Sequence, residues 1–153
     1  MKTVIVGVVG VLLLGSLLFL QWGVPARADS DTQESLSMYM GNLQRHVHKL
    51  GLAIDNQNYD LASFYVEAVG ELVKYISGSF PQYKGIQVGA LMPAMLTPYM
   101  DKLSKSIEAK DWKAANPAYD TLLSAGCNGC HTATQHQFVK IVRVKTNPFP
   151  QQF

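Results

Sequence analysis

Leu36, Met40, Leu43, Val47, Leu50 and Ile54 follow one another in alternating steps of four and three. At about 100° per residue such spacing gathers them into one stripe, which predicts a long amphipathic helix from about Thr32 to Asn56 that must bury one side. A polar break, Asp55-Asn56-Gln57-Asn58, precedes Asp60, read as the N-cap of a second helix. That helix carries Leu61, Phe64, Tyr65, Ala68, Leu72, Tyr75 and Ile76 on one face and ends near Gly78. Phe80 to Gly89 holds Pro81, Gly85 and Gly89 and reads as the longest internal loop. Met92, Leu96, Tyr99, Leu103 and Ile107 resume the helical step, but Pro93 and Pro98 confine the regular part of this third helix to Pro98 through Lys110. Asp111 reads as the N-cap of a fourth helix with Trp112, Ala115, Tyr119, Leu122 and Leu123, and Pro117 is expected in or near its first turn. No alternating strand pattern precedes residue 137. The fold expected is all-α: an antiparallel up-down-up-down four-helix bundle over residues 29–137, with an extended C-terminal tail over 138–153 in which Pro148 and Pro150 forbid a helix.

The amino terminus is of another kind. Lys2 precedes Val4 to Leu20, a run without a charge, and Ala26-Arg27-Ala28 sets small residues at the two positions a signal peptidase reads. Residues 1–28 are read as a signal peptide, with a mature chain beginning at Asp29. The alternative is an uncleaved membrane anchor, although the run is shorter than the roughly 20 residues that span a bilayer. Either way the remaining chain is exported, with the periplasm as the expected compartment. The formal charge is +2, and setting aside Lys2 and Arg27 beside the apolar run leaves eleven basic against eleven acidic residues. That balance excludes a nucleic-acid footprint.

Both cysteines of the 153-residue chain lie in Cys127-Asn128-Gly129-Cys130-His131. Two thiols build neither a disulfide-dense scaffold nor a four-cysteine zinc site. Cys-x-x-Cys-His is the c-type haem attachment pattern, and its spacing has a mechanical reason. On a helix, residues i, i+3 and i+4 share a face, so both thiols can form thioethers to one haem while the imidazole points at the iron. A redox dithiol, a simple disulfide and a zinc site are the competing readings. A thioredoxin-like fold needs strands, and His46 and His48, at i and i+2, fall on different helix faces and make a poor second ligand pair.

A four-helix bundle with this motif on its last helix resembles the cytochrome c-prime and related haem-bundle superfamily. The resemblance covers roughly Thr32 to Gln137 in architecture and five residues in motif. It implies one covalent haem c on Cys127 and Cys130, with His131 as the proximal iron ligand. The chain differs from that family in its uncharged Thr132-Ala133-Thr134-Gln135 and in its long tail. The function expected is single-electron transfer by an exported monohaem cytochrome that is not an enzyme, with redox proteins as partners. The alternative is binding of small gaseous ligands, nitric oxide or carbon monoxide, at an open distal site. A homodimer and membrane association through an uncleaved N-terminus are the other associations considered.

The resemblance also puts the first helix over the distal face of the haem. Relative to the inward stripe of that helix, Met40 lies about 40° from the centre, His46 about 80°, His48 about 120° and Met38 about 160°. Met40 is therefore the candidate distal ligand, with core packing as its ordinary alternative. His46 is read as a flank residue, a propionate partner or the next ligand candidate, and His48 as solvated or supporting. Met92, Met95 and Met100 are packing candidates. Tyr39, Phe64, Tyr65 and Trp112 are read as core or pocket-wall aromatics. His136 would stand about 140° from His131 on a continuing helix and should not reach the same iron. Gly126, which costs a helix about 1 kcal/mol relative to alanine, is either a point of close approach or merely tolerated.

Overall fold

The computed structural model describes the backbone of residues 28–153 and the side chains of residues 36–153. The leader expected over residues 1–28, and its alternative as an anchor, lie, but for Ala28, outside the described residues. Among those described, no helix is long and apolar enough to cross a membrane.

Among the described residues four helical rods make up the fold and no strand forms. Helix α1 is Ala28–Asp55, α2 is Tyr59–Ser79 and α3 is Val88–Glu108. The fourth rod is α4, Trp112–Thr121, continued by a π-helical segment, Leu122–Cys127, and by a short α5, Asn128–Ala133. Helix α1 packs on α2, α2 on α3 and α3 on the fourth rod, which returns to α1. The core lies inside this ring. Its fully buried members include Leu50, Ile54, Ile76, Leu103, Tyr119 and Leu122.

The stripe expected on α1 is the buried one: Leu36, Leu43, Val47, Leu50 and Ile54 are buried and Met40 is half-buried. On α2 the expected face is displaced. The buried residues are Ala62, Tyr65, Val69, Val73 and Ile76, while Phe64 and Tyr75 are exposed. Helix α2 touches both α1 and α3, so small and β-branched side chains that admit a neighbour on each side take the interior. Tyr65 stays inside, while Phe64 and Tyr75 move to the flank, where the Tyr75 hydroxyl meets that of Tyr39 at 3.1 Å. The N-cap is also two residues earlier than expected: Asn58 Oδ1 accepts from Leu61 N–H at 3.2 Å, and Asp60 stands in the first turn, where its charge suits the helix dipole.

Helix α3 begins ten residues before Pro98, with Pro93 and Pro98 both inside it. Each proline removes an intrahelical hydrogen bond and costs about 3 kcal/mol. Burial of Val88, Met92 and Leu96 on α3 outweighs that local cost. Asp111 caps α4 as expected, accepting from Ala114 N–H at 3.0 Å. Pro117, however, is the sixth residue of α4 and lies beyond its first turn, with the Lys113 residue whose carbonyl it leaves unpaired exposed to water.

The fourth rod and α1 meet closely at Gly51, where an added Cβ would fall 2.5 Å from the buried Tyr119 ring. The Tyr119 hydroxyl donates to the Val47 carbonyl at 3.0 Å. Burial raises the pKa of that hydroxyl above its ordinary value, so it remains a donor. Residues after Ala133 form no helix or strand. Ile141 among them is buried, and Arg143 is bonded to Asp55, Asp120 and Asn116.

Candidate haem-attachment site

The π-helical segment sets the direction of the cysteines. Its hydrogen bonds skip one residue more than an α-helix, as in the bond from Asn128 N–H to the Leu123 carbonyl. Everything after it is thereby turned relative to the stripe of α4. Gly126 lies inside the segment and is buried; a Cβ there would come within 3.1 Å of Leu96 and 3.4 Å of Tyr99. Of the two readings of this glycine, close approach is the correct one, and the partner is α3.

Cys127, Cys130 and His131 are half-buried and line one cleft of about 630 Å³, within the range of cofactor sites. Leu36, Met40, Leu43 and Val47 of α1 form one wall, and Met92 and Leu96 of α3 another. The lip includes Tyr83 and Lys84 of the α2–α3 loop, where Lys84 and Gly85 both have positive φ in a tight turn closed by Tyr83 and Ile86. Lys84 is the lone Lys, Arg, Asp or Glu in the lining.

Both thiols are free. Burial, with Cys130 alongside, pushes the Cys127 thiol up to about 12, and burial raises Cys130 as well. A redox dithiol needs a depressed pKa and a thiolate, so this environment opposes that chemistry. Among the described residues, no three His, Cys, Asp or Glu side chains converge on a point that could hold an ion. The arrangement therefore does not suit tetrahedral zinc.

His131 Nδ1 lies 2.6 Å from the Val139 carbonyl oxygen. A carbonyl only accepts, so Nδ1 carries a proton, and in the neutral ring Nε2 is the nitrogen with the lone pair. One imidazole with a free Nε2, two thiols on the same helical face and an apolar cleft before them fit a flat, largely apolar ring held at two edges and ligated axially. The chain thus has the donor set that haem c requires.

The cleft contains Met40 but neither Met38, which is 61% exposed, nor His46. His46 points its Nδ1 at the Asn42 carbonyl, 2.8 Å away, and its ring edge at Tyr65. His48 is half-buried, its Nε2 is buried without a partner, and burial lowers its pKa. Met92 lines the cleft, Met95 covers Gly129, and Met100 is buried outside the cleft. Tyr65 is buried and Trp112 half-buried, whereas Phe64 is 58% exposed and does not line the cleft.

The expectation for His136 rested on a continuing helix, and the helix stops. Gln135 takes φ +61°, His136 N–H bonds back to the His131 carbonyl and Gln135 N–H to that of Thr132. This Schellman closure reverses the chain, and His136 lines the same cleft as His131. The wall formed by Val139 and Ile141 was also not anticipated as part of the site; its signal was the valine- and isoleucine-rich stretch after Phe138. No protein-family model matches the chain, and neither a curated protein nor a solved structure matches it.

Proposed function

We propose that the chain is an exported, periplasmic monohaem c-type cytochrome of cytochrome c-prime-like architecture that passes single electrons between redox partner proteins. In this reading its rods run up-down-up-down and residues 138–153 are an extended tail along them. The observation that carries the reading is that Cys127, Cys130 and a His131 with a free Nε2 share one apolar cleft. Bound there, haem c supplies a one-electron couple at its iron. Cys127 and Cys130 would hold the ring as thioethers and His131 would ligate the iron. The apolar walls from α1 and α3 exclude water, which tunes the potential through the local dielectric. Met40 is the thioether on the α1 wall, which also carries Ser37 and Gln44, and is the candidate for the distal position.

Denaturing electrophoresis with a haem stain tests attachment: colour should migrate with the wild-type polypeptide and vanish in Cys127→Ala/Cys130→Ala. Colourless wild type rejects the proposal. The second reading, capture of nitric oxide or carbon monoxide, draws on the same wall, where Leu36, Leu43 and Val47 beside Met40 are apolar. Absorption spectra separate the two. A low-spin wild type that becomes high spin and binds carbon monoxide quickly as Met40→Leu supports Met40 ligation and the electron carrier. A high-spin wild type that already binds carbon monoxide supports gas binding. A low-spin spectrum unchanged by Met40→Leu rejects this methionine as the ligand.

A further inference from the structure

The segment after His136 is attached to the cysteine motif itself. Asn128, the first residue between the cysteines, donates from Nδ2 to the Ile141 carbonyl at 2.8 Å and accepts the Ile141 N–H on Oδ1 at 2.7 Å. Its amide thus pairs with the backbone as a neighbouring strand would. With residue 141 held opposite 128, the carbonyl of Val139 falls at His131 Nδ1. The Ile141 side chain is buried, and two residues on, the Arg143 guanidinium bonds Asp55 at the end of α1 and Asp120 and Asn116 of α4. It also lies over the Tyr119 ring, 5.0 Å from its centre. At the other end the turn at Gln135 fixes where the segment leaves the helix.

We propose that residues 139–143 are a clamp that sets the tautomer, orientation and donor strength of His131, with Asn128 and Arg143 as its positioning residues. This rests on His131 being an axial haem ligand. A ring N–H held to a carbonyl makes the opposite nitrogen a stronger donor and fixes the plane of the imidazole. A stronger donor favours the more highly charged ferric iron and lowers the reduction potential. The bond that matters belongs to a backbone carbonyl, which substitution at residue 139 would leave in place. The residues that locate that carbonyl are the ones to change.

The test compares full-length holoprotein of wild type, Asn128→Leu, Asn128→Asp and Arg143→Gln. Haem stain reports attachment, and two further readouts report the clamp: solvent exchange of the iron-shifted ring N–H proton in the ferric protein, and the midpoint potential. With haem retained, Asn128→Leu and Arg143→Gln should exchange that proton about tenfold faster, the factor expected for one hydrogen bond lost, and should be easier to reduce. Asn128→Asp, which still accepts from Ile141 N–H but cannot donate to its carbonyl, should fall between. Wild-type exchange and potential in haem-loaded Asn128→Leu and Arg143→Gln would overturn the clamp while leaving the cytochrome reading intact. If Asn128→Leu does not mature, Arg143→Gln, outside the attachment motif, decides alone. Wild type without covalent haem rejects the cytochrome reading and the clamp together.

Discussion

The α1–α2 pair and the segment from Trp112 to the C-terminus are built on different rules. In the pair, helices run unbroken, Asn58 caps the second, and the interior is aliphatic apart from Tyr65. In the other segment Pro117 sits inside a helix, six residues turn as a π-helix, Gln135 is left-handed and irregular backbone is held by Asn128, His131 and Arg143. Local rules are kept where side chains serve mainly burial. They are broken where a cysteine, a histidine and a carbonyl must each meet a particular neighbour, as is common around functional sites.

Paired single-residue deletions put the largest strain on this contrast. Removing exposed Glu71 from α2 turns Val73 and Ile76 by about 100° relative to Val69 and Tyr65, and the protein should fail to fold. A π-segment holds one residue more than an α-helix needs. Removing exposed Ser124 from it should therefore keep the motif facing the cleft, retain haem staining and change stability by no more than about 1 kcal/mol. Loss of haem in that deletion would show that the π-turn is itself required.

Leu50→Ala comes next. Leu50 is fully buried and outside the cleft, so urea unfolding should show a loss of about 3 kcal/mol with haem content and spectrum unchanged. A spectral change would mean that the two regions are not separable. Asn58→Ala, which removes one side-chain cap from α2, should cost about 1 kcal/mol and leave the spectrum alone.

The smallest effect expected is a pH slope from the half-buried His48 of α1. Burial lowers its folded pKa, so below the ordinary value of about 6.5 the unfolded chain takes the proton first. Its contribution is intact above that pH and is lost as pH falls towards the lower folded value. The slope should flatten in His48→Gln. An unchanged slope in unfolding titrations between pH 7 and 5 would assign it to another group.

Much of the site was legible without coordinates because covalent chemistry is local. Residues i, i+3 and i+4 share one helical turn, so a common direction for Cys127, Cys130 and His131 was legible from spacing, and the nearness of Met40 to the inward direction of α1 followed from its period. The position of His136 was not legible because its angle was measured on a helix that ends at Ala133. The stop depends on Gln135 adopting φ +61°, a conformation that glycine would advertise and glutamine does not.

Periodicity and short motifs alone determined that the chain is helical, which side of α1 is buried and where the cysteine motif lies, since each depends on residues within a few turns of one another. The face of α2, the start of α3 ahead of two prolines and the Val139 carbonyl beside His131 were decided by tertiary structure. In each case a neighbour distant in sequence outweighs the local preference: α1 and α3 together select the buried side of α2, packing of Met92 and Leu96 offsets the proline penalty, and Arg143 holds its segment through Asp55, 88 residues earlier in the chain. Local spacing contains no term for such partners, because their energies exist only once the rods have closed into a ring.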